Sequence, residues 1–466
     1  MAKRRQTAFV CSACGHEEPK WLGRCPECGS WNSLEEVHRG TNSAGGGSGR
    51  AGGAHSGAGP GDAARPVSLG EAALESAEPY ASGSTELDRV LGGGIMPGSS
   101  VLIGGEPGIG KSTLLLQTAA RAATRRVHYI SGEESQHQIR LRARRLGLDA
   151  AELRLLCAHE LEQILHTMEQ ERPELVVVDS IQSILSAEAG NVPGTVSQIK
   201  YCAYELIDWA REHDAAVFFV AHVTKEGAIA GPKIVEHMVD TVLYFEQSGS
   251  ELRFLRATKN RFGPTDEVGI FSMESEGLLQ VTDPSSVFLE DRDGALPAGV
   301  VAAPVYEGSR VLLVELQALT VPAKGGMSRT FSDRIDGSRV SRVAAVLEKH
   351  LGVSFSDQDL YVNVAGGMRI TEVGVELPLA VALYSARTGS PVPQGTTVTG
   401  ELSLAGEIRP VSHLRRRVKT AGELGFTTCY GPTQMRNGEQ ADVSWEKVQT
   451  IGGCIESLFK ARRGRS

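Results

Sequence analysis

Gly105-Glu106-Pro107-Gly108-Ile109-Gly110-Lys111-Ser112-Thr113 decides how this chain is read. The apolar run Ser100-Val101-Leu102-Ile103 before it reads as a buried strand, and Leu114-Leu115-Leu116-Gln117 after it opens a helix. Strand, glycine-rich turn and helix in that order are the setting of a phosphate-binding P-loop. The glycines let backbone N–H groups converge on phosphate oxygens, and the helix N-terminus adds its positive end. Lys111 is then placed to reach the β- and γ-phosphates. The hydroxyl of Ser112, with Thr113 as the alternative, would hold Mg²⁺. The stretch predicts a nucleoside triphosphate site.

Outward from the P-loop, apolar strands alternate with helix-length segments: Val127 to Ser131, Leu175 to Asp179, Ala216 to Ala221, Thr241 to Phe245 and Leu252 to Thr258. This alternation predicts an α/β fold with a mainly parallel sheet flanked by helices. Chemistry in such a sheet sits at strand ends. Asp179 ends an apolar strand and is the expected carboxylate for Mg²⁺ and its water shell. Glu133 and Glu134 end another strand, and either could act as general base on the attacking water. The competing reading is an acidic pair at a helix N-terminus. His222, after Val217-Phe218-Phe219-Val220-Ala221, is placed to sense the γ-phosphate or is a satisfied core histidine.

The N-terminal region has a different character. Cys11 and Cys14 form one pair, Cys25 and Cys28 a second, and together they could close a four-sulfur tetrahedral zinc site over residues 1–38. So small a segment needs the metal to fold, and a closed site carries no chemistry of its own. Residues 39–65 are dominated by Gly, Ala and Ser and read as a flexible linker. Net charge is -8, so contact with nucleic acid must come from local basic patches or a ring channel. No apolar run approaches a membrane span. No hydrophobic signal core follows Met1-Ala2-Lys3-Arg4-Arg5, and the eight cysteines suit metal ligation in a reducing cytosol; the expectation is a cytoplasmic protein.

Lys259-Asn260-Arg261-Phe262-Gly263, with Lys20-Trp21-Leu22-Gly23-Arg24-Cys25-Pro26-Glu27-Cys28, Trp31-Asn32 and Tyr129-Ile130-Ser131-Gly132-Glu133-Glu134-Ser135, resembles the bacterial RadA (Sms) DNA-repair family over practically the whole chain. The resemblance implies a RecA/DnaB-like ATPase core over 66–283, using ATP at the boundaries of a homo-oligomer, a hexameric ring. It also implies single-stranded and branched DNA as partners, and branch migration alongside the RecA recombinase. Lys259 and Arg261, two residues apart on a strand, share a face. They are expected to act as trans fingers on a neighbour's γ-phosphate. The loops Glu188 to Thr195 and Lys225 to Lys233 match the DNA-contacting loops of RecA-type proteins by position; ordinary loops are the equal alternative.

Residues 284–466 resemble the proteolytic domain of the Lon protease, including Thr399-Gly400-Glu401-Leu402 and Gly406-Glu407-Ile408-Arg409-Pro410-Val411. The nucleophile position falls at Gly374 and the lysine position at Arg415. Neither residue can do the chemistry, so a non-proteolytic scaffold is expected. The run Arg415-Arg416-Arg417-Lys419 reads as a DNA contact or a solvated helix face. Two other classes remain beside the DNA motor: an ATP-dependent protease, disfavoured by Gly374 and Arg415, and a signalling ATPase that binds no DNA.

Overall fold

The computed structural model describes residues 7–11, 17–18, 20–26, 31, 33–38, 78–122, 125–148, 152–190, 194–221, 233–248, 252–283, 288–290, 294–323, 328–433 and 443–460. Three short strands open the chain: β1 (Thr7–Cys11), β2 (Glu17–Glu18) and β3 (Leu34–His38), antiparallel in the order β2-β1-β3.

The central body begins at α1 (Thr85–Leu91), whose first turn is capped by the Ser84 hydroxyl accepting from the Leu87 N–H. There follow β4 (Ser100–Gly104), α2 (Lys111–Arg121), β5 (Val127–Ser131), α3 (Gln136–Arg145), β6 (Arg154–Cys157) and α4 (Leu161–Glu171). Then come β7 (Leu175–Asp179), α5 (Val196–Glu212), β8 (Ala216–Val220), α6 (Lys233–Met238), β9 (Thr241–Ser248), β10 (Leu252–Asn260), β11 (Val268–Glu274) and β12 (Gly277–Gln280). Their nine-stranded sheet has the order β12-β11-β10-β9-β4-β8-β7-β5-β6, which puts the P-loop strand near the middle. Pairing is parallel from β9 through β6 and antiparallel from β9 through β12.

Successive residues of a strand face opposite sides of the sheet. Accordingly Val101, Ile103, Tyr129 and Val177 enter one apolar core, while Leu102, Ile130, Val176 and Val178 enter the other. Covering both faces explains the near-continuous apolar runs that identify these strands in the sequence. The edge strand β6 was not among the expected strands; Arg154 and Cys157 are exposed, so its four residues carry no such run.

The C-terminal region carries β13 (Val300–Glu307), β14 (Arg310–Pro322), β15 (Thr330–Ser332), α7 (Gly337–Leu351), β16 (Gln358–Val364) and α8 (Glu376–Thr388). It continues with β17 (Thr396–Val398), β18 (Glu401–Leu402), β19 (Ile408–Arg409), α9 (Leu414–Glu423), β20 (Thr428–Pro432), β21 (Ser444–Val448) and α10 (Ile451–Lys460). Its seven-stranded sheet has the order β15-β16-β14-β13-β17-β20-β21.

The two sheets are not packed independently. Leu252, Phe254, Val268 and Ile270 of β10 and β11 belong to the same apolar core as Val301, Val314 and Leu379. A bidentate ion pair fastens the join: Arg310 donates to both carboxylate oxygens of Glu86, at 2.7 and 2.8 Å, and Glu86 is buried.

Candidate nucleotide-hydrolysis site

The loop leaving β4 turns into α2 at Gly110, whose φ of 118° lies in the left-handed region. A Cβ there would stand 2.8 Å from both Leu278 and Met273, so the β11–β12 hairpin presses on the loop from outside. Gly110→Ala should therefore combine backbone strain with a clash. Nucleotide affinity of that variant, measured by equilibrium titration, is expected to fall at least about tenfold.

No side chain caps the start of α2, and its first turn holds no acidic residue. Its first N–H groups therefore remain available to an external acceptor. Lys111 is buried, and its ammonium donates to the carbonyls of Gly105 at 2.7 Å and Glu106 at 3.0 Å. Burial pushes its pKa down to about 8, against the opposing pull of Asp179 and Glu133. Uncapped donors around a buried cation fit a polyphosphate.

Two carboxylates complete the arrangement. Asp179, at the end of β7, is buried and accepts the Tyr129 hydroxyl on Oδ2 at 2.5 Å. Glu133 is exposed, accepts the Ser180 hydroxyl, and acts on Lys111 electrostatically. Its neighbour Glu134 is instead tied to Arg142 of α3. The next residue, Ser135, starts α3 with a reciprocal capping box to Gln138. Asp179 and Glu133 both act on the Lys111 ammonium, while Glu134 is paired with Arg142 nearby. Ser112 is half-buried in the first turn of α2, next to Lys111. A hydroxyl and a buried carboxylate are hard oxygen donors of the kind Mg²⁺ takes. His222 lies outside the described residues, as do Cys14 and Cys28. Cys11 and Cys25 are buried in one small cluster with Leu34.

Lys259 and Arg261 are placed differently from the sequence expectation. The register of β10 shifts between Ala257 and Lys259, and the strand ends at Asn260, so alternation along a strand does not align the two cations. The turn after α6 gathers them. The Lys259 ammonium donates to the carbonyls of Glu236 (2.9 Å), His237 (3.2 Å) and Val239 (2.6 Å), closing the C-terminal end of α6. Arg261 pairs with Asp240 at 3.1 Å, and Arg211 reaches the same oxygen at 3.3 Å. Asp240 is held in turn by the N–H and hydroxyl of Ser100. Gly263 passes so close to Gly92 that a Cβ would lie 2.7 Å from its Cα. Asp240 stands level with Ser100, the first residue of β4, whereas the P-loop leaves from Gly104, its last. The cations are therefore at the opposite end of the sheet from this chain's own P-loop.

Of the two loops singled out in the sequence, Glu188 to Gly190 and Gly194 to Thr195 are described, and the Gln198 amide donates to the Ser186 and Gly190 carbonyls behind the first. Residues 225–232 of the second lie outside the described residues; Lys233 is exposed at the start of α6.

In the C-terminal region, Gly374 is buried within a 3₁₀ turn, Val373–Val375, whose first residue is exposed. The cation beside it is Arg417, not Arg415: a Cβ on Gly374 would lie 3.3 Å from Arg417 Nη1. Arg417 is fully buried and donates two hydrogen bonds to Glu372, at 2.8 and 2.6 Å, with further bonds to the Pro304 and Ser412 carbonyls. Arg415 and Arg416 are exposed. The arginine run is thus neither a uniform basic face nor a solvated one. Helical period gives the signal, because Val418 and Ala421 are buried with Arg417 on one side of α9.

A family model described as an AAA domain matches residues 70–228. Others described as a rubredoxin metal binding domain and as subunit ChlI of Mg-chelatase match residues 9–36 and 332–434. The "DNA repair protein RadA" of Treponema pallidum (strain Nichols) is 52% identical over 98% of this chain and 99% of its own length. Its namesake from Pseudomonas aeruginosa is 44% identical over 99% of this chain and 100% of its own. Among solved structures, a KaiC-like protein from Pyrococcus horikoshii OT3 covers 44% of the chain and 99% of its own at 18% identity and a TM-score of 0.38. The RadB recombinase covers 43% and 99% at 23% identity and 0.36. Among the described residues, no helix is long and apolar enough to cross a membrane. With a zinc-ribbon module, a P-loop core matching an AAA domain and a ChlI-like C-terminal region in one order, and relatives of such identity along its whole length, this chain belongs to the RadA family of DNA repair proteins.

Proposed function

We propose that this protein is a DNA-dependent ATPase in recombinational repair: a homo-oligomeric, hexameric ring on single-stranded DNA. In it, hydrolysis drives branch migration of recombination intermediates alongside the RecA recombinase, in the cytoplasm. The observation that carries the reading is the separation of Arg261 from its own P-loop, since a cation at the far end of the sheet can act only on a neighbour's nucleotide. A site divided in this way makes turnover conditional on assembly, as a motor requires.

The phosphates would take the N–H groups of Gly108 to Thr113, and Lys111 would exchange two carbonyls for phosphate oxygens. Bound Mg²⁺, held by Ser112 and through water by Asp179, would neutralise phosphate charge. Glu133 holds the attacking water and accepts its proton, because Glu134 is already paired with Arg142. Arg261 of the adjacent subunit, exchanging Asp240 for phosphate, offsets charge in the transition state. Glu133→Gln is expected to reduce turnover by about 100-fold or more with nucleotide affinity kept, and Glu134→Gln by less. Equal losses in the two variants, measured by phosphate release, would remove the assignment.

Residues 66–283 form the motor and 284–466 a scaffold without proteolysis, since Gly374 has no hydroxyl and Arg417 cannot serve as a base. The 1–38 module would hold one Zn²⁺ on Cys11, Cys14, Cys25 and Cys28 through thiolates. Cys25→Ser should release the metal; one zinc per chain retained, by atomic absorption, would refute this. ATP turnover with and without single-stranded DNA on sized oligomers tests the whole proposal. Stimulation that falls steeply with salt is expected. Equal turnover by isolated monomers, indifferent to DNA, would overturn it.

A further inference from the structure

Tyr129 has no place in the hydrolytic scheme above, yet it reaches into the site. It lies opposite Val177 in the β5–β7 ladder, two residues before the Ser131 and Asp179 pair, and is fully buried. A diagonal neighbour across strands is within reach of an aromatic side chain. The ring leans along β5 and delivers its hydroxyl to Asp179 Oδ2 at 2.5 Å. Among the described residues, this is the one hydrogen bond that the Asp179 side chain makes. A phenylalanine would fill the same apolar volume in this core. Burying the hydroxyl is tolerable only because it is paired, and its partner is a charged acceptor.

We propose that Tyr129 is a positioning residue for the metal: its hydroxyl pins Oδ2 of Asp179 and so presents the other carboxylate oxygen to the water shell of Mg²⁺. The proposal rests on the reading of Asp179 as the magnesium-side carboxylate. Two features of the site give the hydroxyl its use. First, Asp179 is the leading electrostatic partner of the Lys111 ammonium. A carboxylate free to rotate in a buried site would swing towards that cation and draw it from the phosphates. A neutral donor on one oxygen resists this without removing the charge that the metal needs. Second, the hydroxyl comes from the middle of a buried strand, so the carboxylate is held by the sheet and not by a mobile loop. Partners of this kind behind metal-side carboxylates typically govern metal affinity by about 10–100-fold.

The test uses the full chain and fluorescent mant-ADP, titrated with MgCl₂. In Tyr129→Phe the Mg²⁺ concentration at half-maximal tightening of mant-ADP is expected to rise about tenfold. Affinity measured in excess EDTA should stay within about twofold of the parent. Asp179→Asn, run in parallel, is expected to raise the same midpoint at least as far. A Tyr129 role confined to packing would lower the melting temperature and leave the Mg²⁺ midpoint in place. That result, with Asp179→Asn still shifted, overturns the Tyr129 proposal and keeps the reading of Asp179. If neither variant moves the midpoint, Asp179 is not the magnesium-side carboxylate and both ideas fall.

Discussion

Arg261→Ala is expected to lower ATP turnover by roughly 1,000-fold while nucleotide affinity stays near that of the parent chain, because arginine fingers contribute about 10³–10⁵ to phosphoryl transfer. The side chain is 57% exposed and, among the described residues, is held by Asp240, so its removal should leave the fold intact. Lys259→Ala is a less clean experiment: its ammonium closes the end of α6, and loss of activity there would mix a missing finger with a loosened helix. The decisive form is a mixture. Lys111→Ala alone should bind nucleotide poorly and turn over none. Combined with Arg261→Ala, it supplies intact fingers to neighbours whose P-loops are intact. Activity recovered on mixing is the expected outcome, read by steady-state phosphate release at constant total protein. Two inactive chains that remain inactive together would place Arg261 outside the neighbour's site.

The largest stability effect is expected at Arg417. The guanidinium is fully buried, and Glu372, its bidentate partner, is itself only 19% exposed. Removing one member of such a pair strands the other's charge in a poorly solvated site, at about 3–5 kcal/mol. Arg417→Ala should show this in urea unfolding, whereas exposed Arg416→Ala should stay within about 0.5 kcal/mol. Replacing both members, as Glu372→Gln with Arg417→Met, should recover much of the loss, because no uncompensated ion remains. A small effect of Arg417→Ala would mean that the pair is solvated in solution. A hydroxyl at position 374 would face a cation already committed to a carboxylate.

Much of this protein is decided by short-range rules. A buried parallel strand must be apolar on both faces, so β4, β7 and β8 announce themselves by runs of Val, Ile, Leu and Phe, while β5 carries His128 and Tyr129 within its buried span. A phosphate loop needs glycines and a lysine at set spacing, so Gly105 to Thr113 is legible without coordinates. The fold class and the family follow from those local patterns. What the sequence leaves open is whatever depends on direction. Glu133 and Glu134 are chemically alike and adjacent; only the position of Arg142, about two turns along α3, separates them. Arg415, Arg416 and Arg417 are identical in type, and the packing of α9 alone decides which one is buried. Tyr129 reads as one more apolar strand residue until a neighbouring strand brings Asp179 to its hydroxyl. Composition and spacing determine which elements form, because those forces act within a few residues. Long-range packing determines where each charge points, and charges are cheap to relocate along a sequence but costly to leave buried without a partner.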